Sequence, residues 1–388
     1  MSSPLPHIVL IQNTSFGGHL ALSTFLTGLV SRYQKIDACY TLFCGKQERT
    51  DHTTEIHIQS MDTAYNTLLG NLLFSWRAFF ALIRAHRQQK ISILHCFYPH
   101  SSLIAAVCFK YLFAKHAKII YDIRSPRIEM SFANHHVRHA KRVIKHLMHF
   151  IEKILIRFVD QFVWITDWVK SYYERMYKIS PTIPAAIIPT GVDVEKFGRP
   201  CSDEERSSLR KKLSVPDDHQ IICYVGTISK MRQMSSFLSS QASHIRTIPV
   251  TFVMIWWGDD LLPMQQIVQE MQLTDQFRFL GVLAQAELVA YMQIADIGRC
   301  HLPDIFVFQH SFPLKILEYL AAWLPVLCSD IAAHRAIASR FPQEIVVYTP
   351  ETFLTAPLPC NRTQNPHIRE YDRTYLYRQY NSIYHTLL

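Results

Sequence analysis

The chain is built from short, almost wholly apolar runs separated by segments of helical period, and that alternation restricts what it can fold into. The first set is HIVLIQN (7–13), ISILHCF (91–97), AKIIYDIRS (117–125), QFVWIT (161–166) and AAIIPTG (185–191). Each is too short for a core helix and rich in Val and Ile, and each adjoins a helical pattern such as LALSTFLTGLVSRY (20–33),. A strand that is apolar at successive positions is covered on both faces, so the expectation is an α/β fold with parallel sheets flanked by helices. The longest apolar stretch, ISILHCFYPHSSLIAAVCFKYLF (91–113), is broken by His95, His100, Ser101, Ser102 and Lys110. It falls short of the roughly 18–20 uninterrupted apolar residues of a spanning helix and reads as strand, turn and helix.

The pattern stops over GVDVEKFGRPCSDEERSSLRKKLSVPDDHQ (191–220) and then restarts with IICYVGT (221–227), VTFVMIWWG (250–258), FRFLG (277–281), ADIGRC (295–300) and LPVLCSD (324–330). With 388 residues and roughly 100–200 per domain, two domains are expected,. Their boundaries are placed at 1–198 and 199–370, with YDRTYLYRQYNSIYHTLL (371–388) packing as an amphipathic last helix,. The two halves share a pattern of elements without a fixed-period repeat.

Charge divides the halves. Residues 1–200 hold 24 Lys and Arg against 13 Asp and Glu, a net of +11, whereas 201–388 hold 16 against 18, a net of −2. The first domain is therefore expected to face an anionic partner. Its most basic stretch, HHVRHAKRVIKHLMHFIEKILIRF (135–158), has six Lys and Arg, five His and one Glu, interleaved with Val137, Val143, Ile144, Leu147, Met148, Ile151, Ile154 and Leu155. Two readings fit this helix: an anionic lipid surface against it, or core packing of its apolar face beneath a solvated basic one. Nucleic acid is not expected, because no binding module or aromatic platform accompanies the charge. His135, His139, His146 and His149 do not form an H-E-x-x-H set and are read as surface residues rather than as a metal site. The nine cysteines form an odd set without a C-x-x-C pair, and the opening MSSPLPHIVL lacks the basic and long apolar regions of a signal peptide,. Together these favour reduced thiols and a cytoplasmic chain.

Chemistry concentrates in HSFPLKILEYLAAWLPVLCSD (310–330). Ser311 is a candidate N-cap and Pro313 suits a first turn, so a helix is expected from about residue 312. Lys315 and Glu318 then lie one turn apart, near free N–H groups and the positive dipole end. That arrangement suits a phosphate on Lys315 and sugar hydroxyls on Glu318; a surface salt bridge is the alternative.

SFPLKILEYLAAWLPVLCSD resembles the donor-site segment of family 4 glycosyltransferases, which have the GT-B fold of two Rossmann-like domains facing across a cleft. IPTGVDVEKF (188–197), YVGTISKMRQM (224–234), FLGVLAQAELVAYMQIADIG (279–298) and RFVDQFVWITDWVKSYY (157–173) resemble further segments of that family in the same order. The resemblance implies that Lys315 meets the donor diphosphate and Glu318 the nucleotide ribose. Gly226, Thr227, Gly281, Val282, His310, Pro313 and Leu314 become donor-binding candidates, with Arg232 on the position of a family lysine and counted with Lys315 as catalytic. FGGH (16–19) matches the family's glycine loop through Gly17 and Gly18, whose missing Cβ atoms allow close approach,. YDIRSP (121–126) resembles a strand end on the acceptor side, making Asp122 a further catalytic candidate and Arg124 an acceptor-side one; a strand-end salt bridge is the other reading.

Four positions depart from the pattern. Thr190 replaces Asn, Thr227 replaces Arg, His310 replaces the first glutamate of E-x7-E, and Trp323 replaces the glycine that ends the helix. In the left-handed conformation that a helix end takes, a bulky residue costs about 1–2 kcal/mol, so either the helix ends differently or a contact offsets the strain. The expected activity is transfer of a sugar from a nucleotide-diphosphate-sugar to a glycan or lipid-linked acceptor at the cytoplasmic membrane face. Retention of configuration is implied, with no cofactor and no metal. A nucleotide-sugar epimerase and a degenerate nucleotide-sugar-binding scaffold are the alternatives.

Overall fold

The computed structural model describes residues 5–16, 25–26, 28–29, 38–47, 57–63, 67–126, 128–129, 139–199, 201–349, 351–352 and 365–388. The chain divides into two units, one comprising Met1–Thr190 with Arg373–Leu388 and the other Gly191–Asp372.

The first unit holds seven strands: β1 His7–Phe16, β2 Cys39–Gln47, β3 His57–Ser60, β4 Ile91–Phe97, β5 Lys118–Ile123, β6 Gln161–Trp164 and β7 Ala185–Ile187. They form one sheet in the order β3-β2-β1-β4-β5-β6-β7, and every pairing is parallel. Ile8, Val9, Leu10 and Ile11 are all fully buried, as an apolar run covered on both faces requires,. Ile8 and Leu10 pack with Phe25 and with Leu376, Tyr377, Tyr380 and Tyr384 of the last helix, Arg373–Leu387. The strands β2 and β3 carry polar residues and a four-residue edge, and so escaped the search for apolar runs. Of the helix expected over 20–33, residues 25–26 and 28–29 are helical and the remainder lies outside the described residues.

Helices α1 (Leu68–Gln88), α2 (His100–Phe113), α3 (His139–Leu155) and α4 (Asp167–Tyr177) complete this unit. Thr67 and Thr166 cap α1 and α4 by accepting from the N–H groups of Gly70 and Val169,. The basic helix α3 turns its acid inward and much of its apolar face outward. Glu152 and Leu155 are buried, whereas Val143, Leu147, Phe150 and Ile154 are 68, 52, 61 and 42% exposed. Core packing of that stripe is therefore not observed. Residues 135–138, where the basic stretch begins, lie outside the described residues.

The second unit holds β8 Gln220–Val225, β9 Val250–Ile255, β10 Phe277–Gly281, β11 Ile297–Cys300, β12 Val326–Ser329 and β13 Ile345–Tyr348. Their order is β10-β9-β8-β11-β12-β13, again all parallel. Helix α5 (Asp203–Lys212) opens with a capping box in which Ser202 and Glu205 satisfy each other's backbone N–H groups,. The division between units falls before Gly191 rather than after residue 198. Val192 donates to Tyr371 O at 2.9 Å and bridges to Asp372, and Val192, Val194 and Phe197 sit in the second unit's core. Sequence polarity hid that attachment.

Candidate active site

In a parallel sheet, ligands bind beyond the carboxyl ends of the strands where the order reverses. The second unit reverses between β8 and β11. Beyond β8 comes Gly226, where an added Cβ would stand 2.9 Å from Arg232 Nη1, so the tip of the guanidinium lies directly against this glycine. Arg232 Nη1 donates to the Tyr224 hydroxyl at 3.2 Å, and that hydroxyl donates to Thr227 O at 3.1 Å. Among the described residues Arg232 forms no ion pair, which leaves its charge available at the strand end.

Helix α6 (Leu314–Ala321) carries Lys315 and Glu318, and Lys315 Nζ donates to Glu318 Oε2 at 2.7 Å. The i,i+3 pair is thus formed within the protein itself, with Glu318 buried and Lys315 partly exposed. Pro313 is the N-cap rather than a first-turn residue, because Ser311 turns its hydroxyl back to Phe308 O at 3.1 Å and does not cap. What fixes α6 is Tyr319, four residues after Lys315 on the same face. Its hydroxyl accepts from Val225 N–H at 2.8 Å and donates to Arg299 O at 3.1 Å, tying the helix to the ends of β8 and β11. The ring lies so close to β11 that a Cβ at Gly298 would meet it at 2.5 Å. Sequence reading passed over this pair; the available signal was a glycine inside an apolar strand, which marks a close approach.

Cys300, at the end of β11, reports the field at this point. Burial pushes its thiol up to about 11, against the opposing pull of Arg232, Lys315 and Arg299. Three cations therefore lie within electrostatic reach of one buried atom. His310 follows a short helix, Phe306–Gln309, its ring edge-on to Phe306 at 4.9 Å and its imidazole held below the ordinary range by partial burial. Gly281 and Val282 lie two strands away, at the end of β10, with Gly281 at φ 69° and Val282 exposed. Trp323 adopts φ 59°, and the helix ends as a glycine would end it. Trp323 N–H reaches Leu320 O at 3.1 Å and Leu324 N–H reaches Tyr319 O at 2.9 Å, the two bonds of a Schellman motif,.

In the first unit the order reverses between β1 and β4. Gly17 and Gly18 lie outside the described residues. Just before them Gln12 is fully buried with neither amide atom hydrogen-bonded among the described residues, and Asn13 Nδ2 donates to Asn71 Oδ1 at 2.7 Å and Ser101 Oγ at 3.0 Å. Gln12 is a polar group at this crevice that the motif search did not single out. Asp122 and Arg124 form the strand-end ion pair, with Arg124 Nε 2.7 Å from Asp122 Oδ1 and Nη2 2.9 Å from Oδ2. Burial raises the Asp122 pKa, but Arg124 and His95 outweigh it and hold the carboxyl below its ordinary range. Asp122 Oδ2 also accepts from Tyr380 at 2.7 Å, and Arg124 donates to the Tyr380 hydroxyl, so the pair grips the last helix.

Two parallel α/β units, with cations gathered at the switch point of the second, are the architecture of the GT-B glycosyltransferases. Residues 23–196 match Glycosyltransferase Family 4 and residues 205–351 match Glycosyl transferases group 1, and the chain belongs to this family of group 1 glycosyltransferases. It is 22% identical over 259 residues to the alpha-monoglucosyldiacylglycerol synthase of Streptococcus pneumoniae, covering 66% of this chain and 55% of that one. It is 26% identical over 156 residues to the D-inositol 3-phosphate glycosyltransferase of Corynebacterium jeikeium, covering 38% of this chain and 36% of that one. The matches thus span about a third to about a half of these curated relatives. Sucrose-phosphate synthase from Thermosynechococcus elongatus superposes with a TM-score of 0.71 at 17% identity, over 98% of this chain and 99% of that one. Anabaena HepE, solved with UDP, gives 0.70 at 13% identity over 98 and 100%. At these identities the likeness shows the fold.

Proposed function

We propose that the chain transfers a sugar from a nucleoside-diphosphate-sugar to a lipid-linked or cell-envelope glycan acceptor at an anionic membrane surface on the cytoplasmic side. The observation that carries this is the Tyr319-anchored helix, which holds Lys315 and Glu318 at the β8–β11 switch point with Arg232 beside them. As the glycosidic bond breaks, negative charge grows on the departing diphosphate, and Lys315 and Arg232 stabilise it. Glu318 accepts from ribose hydroxyls, and configuration is retained. The protein's own cations meet the leaving group in this scheme, without a metal. UDP in HepE supports a nucleotide donor, and the glycolipid-synthase relatives support a lipid acceptor.

Membrane contact is assigned to the first unit. Helix α3 exposes Val143, Leu147, Phe150 and Ile154 at a spacing of one helical face, flanked by Arg142, Lys145, Lys153 and Arg157. Helix α1 exposes Leu69, Leu72, Trp76 and Phe80 likewise, with Arg77, Arg84 and Arg87 and no acidic residue. Each Lys or Arg near an anionic surface contributes about 1 kcal/mol, added to the apolar burial. No helix among the described residues is long and apolar enough to cross a membrane.

The test is nucleotide release from UDP-, GDP-, ADP- and dTDP-sugars, with and without anionic lipid vesicles carrying a glycolipid extract. Release from one donor that rises with lipid, and is lost in Lys315→Ala, is expected. Interconversion of free donor sugars without acceptor would mark an epimerase instead, and absence of nucleotide binding would leave a scaffold.

A further inference from the structure

The edge strand β3 and helix α1 border a hollow of about 320 Å³ that the transfer chemistry does not use. Its walls include Ser60 and Asp62, from the end of β3 and the turn after it, and Trp76, Arg77, Phe80 and Arg84 from α1. That volume is at the small end of the roughly 300–1,000 Å³ of small-ligand sites. The turn is firmly held. Met61 N–H donates to Cys44 O and Thr63 N–H to Gly45 O, each at 2.8 Å, and Asp62 between them sits at φ 47°. Arg77 clamps the same turn from the helix side, its Nη1 donating to Met61 O at 2.5 Å and to Asp62 O at 3.3 Å.

Charge in the hollow is unbalanced. Arg84 makes no hydrogen bond or ion pair among the described residues, and Arg77 makes none there beyond its two bonds to the turn. Asp62, the one acid of the lining, accepts from Ser60 Oγ at 2.7 Å and pairs with neither arginine among the described residues. Two guanidinium groups against one carboxylate leave a net charge of +1. Trp76 and Phe80 complete the wall, their rings edge-on with centroids 4.8 Å apart. Both also belong to the exposed apolar stripe that α1 presents with Leu69 and Leu72, so the cationic hollow is continuous with greasy surface.

Three chemistries thus meet in one space. Arginine forks, one of them already fixed by the turn, suit a phosphodiester. A carboxylate beside a serine hydroxyl suits hydroxyl donors. Exposed aromatic rings alongside suit acyl chains. We propose that the hollow seats the headgroup of a monoanionic glycerophospholipid whose headgroup carries hydroxyls, with its phosphate between Arg77 and Arg84, its hydroxyls toward Asp62 and its acyl chains along Trp76 and Phe80. This rests on the membrane contact of the first unit proposed above and adds to it a discrete site, where a basic helix face alone would be drawn to any anionic surface.

The experiment is flotation of the full chain with equimolar phosphatidylcholine–phosphatidylglycerol vesicles and with equimolar phosphatidylcholine–phosphatidylserine vesicles, which carry the same surface charge. Tighter binding to phosphatidylglycerol is expected. Arg84→Gln should weaken it about thirtyfold or more, and Arg87→Gln, on the same helix outside the hollow, only about fivefold,. Asp62→Asn removes a negative charge yet should weaken phosphatidylglycerol binding about threefold to tenfold. Inorganic phosphate at matched ionic strength should not release the protein. Equal losses in Arg84→Gln and Arg87→Gln, or tighter binding by Asp62→Asn, overturn the site and leave membrane contact standing, because diffuse attraction explains both. Equal affinity for the two vesicles overturns it as well, and release by inorganic phosphate makes the hollow a free-phosphate site instead. If the unaltered protein binds neither vesicle, the membrane reading falls and the headgroup site with it.

Discussion

Tyr319→Phe removes one oxygen and no packing volume, and it tests what aligns α6 with the switch point. The hydroxyl is buried between Val225 N–H and Arg299 O, at 2.8 and 3.1 Å. Without it the Val225 N–H, at a position only 1% exposed, has lost its partner. An orphaned buried donor costs about 1–3 kcal/mol, and the lost bond to Arg299 O adds about 0.5–1.5 kcal/mol. The sum is of order 2–4 kcal/mol, confined to the contact between one helix and two strands. A two-unit protein need not unfold in one step, so a single melting temperature is a poor readout. Amide exchange is better, because Val225 N–H is itself the reporter. Its protection relative to that of Cys223 in the same strand should fall about thirtyfold or more. Turnover should fall with it, since Lys315 rides the same helical face. Unchanged protection at Val225, with Tyr319→Phe folded, would refute the claim that this hydroxyl anchors the helix.

Other outcomes follow from the same geometry. At position 323 the ordinary preference for alanine over glycine should invert, Trp323→Gly exceeding Trp323→Ala in stability by about 1 kcal/mol in urea titrations, because φ 59° penalises any Cβ while both lose the indole equally,. Glu152 is fully buried beneath α3, accepting from Tyr121 at 2.9 Å and Tyr177 at 2.6 Å, and burial pushes its carboxyl up to about 7. The folded state then holds a proton that the unfolded state has released, so this group's contribution falls as pH rises from about 4.5 through about 7,. Glu152→Gln should flatten that decline, gaining up to about 3 kcal/mol relative to the unaltered protein at pH 8 in denaturant titrations. Asp122→Asn should cost about 3–5 kcal/mol by leaving the Arg124 charge buried without its partner, and limited proteolysis should then cut within Arg373–Leu387,. Adding Arg124→Met should recover part of that loss.

What was legible in the sequence was whatever expressed itself as local pattern. Fully apolar strands next to helical periods gave two parallel sheets, because coverage on both faces leaves no other economical packing. The pairing of Lys315 with Glu318 was legible from their spacing on one helix, and the structure forms it as an ion pair at 2.7 Å. The orienting residues were not, since their meaning lies in contacts distant in sequence: Tyr319 makes sense only with Val225 and Gly298, and Asp122 only with Tyr380. Helix α3 shows a different gap. Periodicity identified an apolar face correctly but carries no sign for inside or outside, and a single residue, Glu152, was the available clue. Held by the hydroxyls of Tyr121 and Tyr177 in place of water, that acid faces inward and turns the greasy stripe outward. A helix that buries its one carboxylate and exposes Val143, Leu147 and Phe150 pays for solubility twice over, unless something apolar and anionic covers it,.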